Sequence, residues 1–67
     1  MASGKQGPEI YMEYKVRGSL LQATAIDAAS GTEASVFGPV TASREALTRN
    51  AVAKLVYILK RGGGAGQ

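Results

Sequence analysis

Apolar and polar positions alternate from Glu9 to Arg17. Ile10, Met12, Tyr14 and Val16 share one face, and Tyr11, Glu13, Lys15 and Arg17 share the other. A period of two with β-forming residues predicts a half-buried strand. Gly18-Ser19 follows, and a glycine at the first central position suits a two-residue hairpin turn of type II′. That turn sets Val16 opposite Leu21, Tyr14 opposite Ala23 and Met12 opposite Ala25, so that large side chains meet small ones on one surface. The second strand spans about Leu20–Asp27, and Gly31 supplies the positive φ that closes the next turn. A third strand over about Thr32–Phe37 places Ala34 beside Ala25 and Val36 near Ala23 on the same inner face. The outer face then carries Tyr11, Leu20, Ile26 and Phe37 among polar neighbours, more apolar surface than a solvated face needs.

Gly38-Pro39 is expected to end the sheet. Ser43 is a good N-cap, Glu45 suits the first turn of a helix, and Lys60 and Arg61 suit the last, with Gly62 as the C′ residue. The helix runs from about Arg44 to Lys60 or Arg61. Leu47, Ala51, Val52, Leu55, Ile58 and Leu59 fall within about 140° of its circumference, and Val56 widens the arc to about 180°. Ala46, Ala53 and Tyr57 form a weaker patch on the far side. The fold class read from the pattern is α+β, a three-stranded antiparallel β-meander followed by one C-terminal α-helix.

Length sharpens this picture. The chain has 67 residues, with no Cys, His or Trp. Residues 1–7 and 62–67 show no apolar periodicity and are expected to be disordered tails flanking one domain over residues 8–61. A unit of this size buries only about 60% of its unfolded surface, so its core alone is marginal. With no Cys for a disulfide and neither Cys nor His for a zinc site, oligomerisation is the remaining source of stability. The surplus apolar arc of the helix and the open sheet edges point the same way, to a homodimer, in an intertwined or domain-swapped form if the short Phe37–Ala42 connection lets the helix cross over. The residues expected at the dimer seam and core are Tyr14, Val36, Phe37, Leu55, Ile58 and Leu59.

The segment TAIDAASGTEASVFGP (Thr24–Pro39) with REALTRNAVAKLVYILKR (Arg44–Arg61) resembles a family of short, uncharacterised proteobacterial proteins. These share an AID-A-x-[ST]-G-T-E turn, a Gly-Pro and a single terminal helix. The resemblance covers about Ile10 to Lys60. It implies a bacterial module of the class catalogued as a domain of unknown function, and it brings no catalytic residues.

Chemistry-bearing residues are few. Without His and Cys, the usual metal ligands, thiol nucleophile and neutral-pH proton shuttle are missing. Asp27, Ser30, Gly31, Thr32 and Glu33 gather around one turn, where Asp and Ser bond nearby amides; two carboxylates alone do not build a cage for a hard cation. The hydroxyls of Ser19, Ser30, Thr32, Ser35, Thr41, Ser43 and Thr48 have no base placed to activate them. The GGGAGQ terminus has glycine spacing but lacks the strand and helix that a phosphate-binding loop requires. No catalytic residue, cofactor or metal site is therefore assigned.

The net charge is +3, or +2 without Lys5. Lys15, Arg17, Arg44, Arg49 and Lys54 support an alternative reading as a weak, salt-sensitive nucleic-acid binder. The element order resembles the C-terminal part of double-stranded-RNA-binding modules, but Arg44-Glu45-Ala46 stands where those carry paired lysines, and their first helix is missing. The N-terminal residues lack the apolar core of a secretory signal, and no apolar run approaches the ~20 residues of a membrane span. The sequence reading is thus a cytoplasmic homodimeric binding or assembly module with no membrane association. A further protein partner, of unidentified kind, is also open to it.

Overall fold

The computed structural model of the protein describes residues 9–62. Three strands, β1 (Ile10–Arg17), β2 (Leu20–Asp27) and β3 (Glu33–Pro39), precede one helix, α1 (Arg44–Lys60). The strands form an antiparallel sheet in the order β1-β2-β3, so β2 is central and both other strands are edges. Of the tails expected at residues 1–7 and 62–67, residues 1–7 and 63–67 lie outside the described residues, while Gly62 is placed at the end of the helix.

The hairpin register follows from its turn. Gly18 adopts a φ of 60°, as the first central position demands, and Arg17 pairs with Leu20 across Gly18-Ser19. Val16 therefore meets Leu21, Tyr14 meets Ala23 and Met12 meets Ala25. The second turn closes on Gly31, with φ of 79° and its N–H donated to the Asp27 carbonyl at 2.7 Å. Beyond it Ala25 pairs with Ala34 and Ala23 with Val36.

The sheet does not end at Gly38-Pro39. β3 runs through both residues, pairing Gly38 with Leu21 and Pro39 with Leu20. Two features permit this. β3 is an edge strand, where a residue without an N–H leaves no ladder bond unmade if its amide position faces outward. Gly38 gives room to the helix: a Cβ there would lie 2.9 Å from a Leu47 methyl carbon. Val40 N–H then donates to the Ser19 carbonyl at 2.9 Å, tying the start of the connection to the β1–β2 hairpin.

Ser43 caps α1, its hydroxyl accepting from the Ala46 N–H at 3.1 Å. At the other end Gly62, with φ of 69°, donates to the Leu59 carbonyl at 3.0 Å. The core is a stripe of Leu47, Ala51 and Leu55 laid on Leu21, Ala23, Ala25 and Ala34. The alanine floor lets the helix come close, and Leu55 is fully buried. Ile10, Met12, Tyr14, Val36, Val52, Ile58 and Leu59 pack around this centre while keeping part of their surface in water.

The helix lies over β2 and β3, and its backbone stays away from β1. That offset fixes which surfaces of the molecule are left open.

Replacing Gly38 by Ala forces a methyl against a buried leucine that has little room to withdraw. An overpacking cost of about 1–3 kcal/mol is expected in denaturant unfolding; unchanged stability would mean that α1 does not press on β3 at this point.

Candidate functional site

Among the described residues no group of three His, Cys, Asp or Glu side chains converges, and no enclosed cavity is present. The surface features that remain are the β1 side of the domain, the outer face of the sheet and the turn after β2.

On the β1 side, Tyr14 is the link to the helix. The Thr48 hydroxyl donates to the Arg44 carbonyl at 2.9 Å, so its single proton is committed and the Tyr14 hydroxyl is the donor in their 2.5 Å contact. The Arg44 guanidinium carbon lies 4.5 Å from the centre of the Tyr14 ring, within cation–π reach. Thr48 therefore marks the flank of α1 that turns toward β1, and Val52 and Leu59 share that flank by helical spacing. Below them the inner face of β1 is thinly covered: Met12 is only half-buried and Val16 is 64% exposed. A shallow apolar strip thus runs along β1, bounded by the helix on one side and by the free strand edge on the other.

The two edges of the sheet differ. Ala28 N–H donates to the Glu9 carbonyl at 2.9 Å, so the odd-numbered residues of β1 direct their backbone groups to β2. The backbone groups of Met12, Tyr14 and Val16 then point outward along an edge to which, among the described residues, no side chain bonds and which holds no proline from Ile10 to Arg17. On β3 the outward groups are those of Glu33, Ser35, Phe37 and Pro39. Lys54 Nζ donates to the Ser35 carbonyl at 2.9 Å, and Pro39 offers no N–H. A lysine and a proline are the usual means of closing an edge to further strands.

The outer face holds two apolar groups separated by polar residues. Tyr11 and Ile26 are paired at one end, and Leu20, Pro39 and Phe37 cluster at the other. Between them Thr24 is buried although it faces outward: it lies on the central strand with its hydroxyl 2.7 Å from that of Ser35, which also accepts from Gln22 Nε2 at 3.3 Å. The Tyr11 hydroxyl donates to Glu9 Oε2 at 3.1 Å, and this hydrogen bond, with the carboxylate charge behind it, raises the Tyr11 pKa above its ordinary 10.0.

In the turn, Asp27 is only 4% exposed. Its Oδ2 accepts from the Ser30 N–H at 3.1 Å and the Ser30 hydroxyl at 2.6 Å, and Ser30 Oγ accepts from the Thr32 N–H at 3.1 Å. The cluster does the work of a turn. Its Oδ1 is buried without a hydrogen-bond partner among the described residues.

The residues expected at a dimer seam fall on three surfaces. Tyr14, Ile58 and Leu59 are partly open around the core, as is Val36 beneath the helix. Leu55 lies wholly within the core of its own chain, and Phe37 is exposed on the opposite face of the sheet. The basic residues are also separated. Lys15 and Arg17 lie on the outer face of β1, Arg44 stacks on Tyr14 at the inner face, Arg49 is exposed on the helix and Lys54 is held at the β3 edge. The sequence reading counted both sheet edges as open and did not single out β1, because the Lys54 contact that closes β3 spans elements far apart in the chain.

Replacing Tyr14 by Phe removes the donor to Thr48 while keeping the ring under Arg44. A loss of about 0.5–1.5 kcal/mol is expected by chemical denaturation; no loss would mean that the hydroxyl contact does not hold β1 to the helix.

No curated protein and no solved structure matches the chain. Among the described residues no helix is long and apolar enough to cross a membrane. A family model matches residues 7–62, nearly all of the 67-residue sequence and every described element, and the chain accordingly belongs to the family described as "Domain of unknown function (DUF6898)".

Proposed function

We propose that the protein is a non-catalytic binding or assembly module that works as a homodimer in a bacterial cytoplasm. The observation that carries this reading is the offset of α1 over β2 and β3, which leaves the inner face of β1 thinly covered and its edge unpaired. A domain this small gains much of its stability from any additional apolar burial, and a second copy of the same strip is the simplest source of it. The open parts of Tyr14, Ile58 and Leu59 fit such a seam. Leu55 supports it from within each protomer.

A dimer of closed protomers fits better than an exchanged one. The Val40 N–H ties the start of the connection to Ser19. Catalysis has no support in the arrangement of side chains. Nucleic-acid binding through Lys15, Arg17, Arg44, Arg49 and Lys54 has less support than dimerisation, because those cations do not line one surface.

Sedimentation or light scattering over a dilution series is the test, with circular dichroism on the same samples. The expected result is twice the chain mass at high concentration, falling toward the monomer on dilution while the fold within each chain is kept. A folded monomer at every concentration would overturn the homodimer.

A further inference from the structure

We infer that the second copy docks by strand addition, with β1 of each chain pairing antiparallel to β1 of the other across a two-fold axis at Tyr14. This rests on the homodimer reading above and specifies its geometry.

The choice of edge comes first. A sheet with one edge closed by Lys54 and Pro39 and the other open along Met12, Tyr14 and Val16 can extend continuously only at β1. Strand β1 is eight residues long and unbroken, and the backbone groups of its even-numbered residues point away from β2.

The register follows from symmetry and charge. A two-fold axis perpendicular to the sheet keeps inner faces on one side, so even residues must oppose even residues. The two longest such overlaps of Ile10–Arg17 centre on Glu13 or on Tyr14. Centring on Glu13 sets that carboxylate directly against its own copy, which is unfavourable. Centring on Tyr14 sets Glu13 against the partner's Lys15, and Lys15 against the partner's Glu13. On the same outer face Tyr11 then meets the partner's Arg17, an aromatic–cation pair. On the inner face Met12 meets the partner's Val16, which covers a side chain otherwise 64% exposed. The even residues form the hydrogen-bonded pairs, and Glu13 and the partner's Lys15 form a non-hydrogen-bonded pair, in which side chains approach most closely. The product is a continuous six-stranded sheet, both helices on one face, with a β3 edge at each end.

The chain contains no cysteine, so introduced thiols report without background. Glu13→Cys and Lys15→Cys are made as separate single variants at exposed positions, checked for native circular dichroism, and oxidised alone and mixed. Directly opposed residues in a non-hydrogen-bonded pair are within disulfide reach, so the mixture is expected to give the mixed disulfide in roughly tenfold excess over either like pair. Cross-linking of Glu13→Cys with itself as the main product would overturn the Tyr14-centred register. No cross-link in samples that sediment as dimers would overturn strand addition while leaving the homodimer in place. Samples that sediment as folded monomers would overturn both.

Discussion

The fold depends on one close contact, the helix stripe of Leu47, Ala51 and Leu55 against the alanine floor of β2 and β3. Ala23, Ala25 and Ala34 are small enough for α1 to sit near the sheet, and Gly38 removes the last side chain from its path. A stripe one residue wide covers two strands and not three. That shortfall places β1 beyond the helix backbone, leaves Met12 and Val16 partly in water, and makes the Tyr14–Thr48 contact a principal tie between β1 and the helix. Burial is concentrated in few large side chains, as expected where the core must be completed from outside or remain marginal.

Much of the fold was legible because its determinants are local. The alternation of β1, the glycines at 18 and 31 and the Ser43 cap each act within a few residues, and together they set both strand registers and the helix start. The end of β3 was not legible from such signals. Gly-Pro reads locally as a stop, but its meaning changes once β3 is an edge strand and Gly38 faces Leu47, facts that belong to the tertiary structure. Thr24 shows the same limit. Alternation puts it outside, yet a central-strand position and the Ser35 hydroxyl bury it.

The candidate surface was legible only in part. The apolar arc of α1 extends past its buried stripe to Val52, Ile58 and Leu59, which keep part of their surface in water, and that remainder points to an interaction role. Which residues form a single surface could not be read from apolarity alone. Phe37 and Leu55 are both apolar but lie on opposite sides of the sheet, and the five cations spread around the molecule because strand alternation and helical period disperse them. Backbone polarity along an edge leaves no trace in composition. It emerges from turn position, through the pairing of Glu9 with Ala28. Membership of a domain family of unknown function adds the matched extent of this unit and leaves its role to be argued from these surfaces.

Residue-resolved amide hydrogen exchange of β1 at high and low protein concentration addresses the central claim, that the strip left open by the helix is where a second copy binds. The inward amides of Tyr11, Glu13 and Lys15 bond to β2 in either state and serve as the internal reference. The account predicts that the amides of Met12, Tyr14 and Val16 are protected at high concentration and lose that protection first on dilution. Fast exchange of those three amides at every concentration, beside a protected reference set, would contradict it.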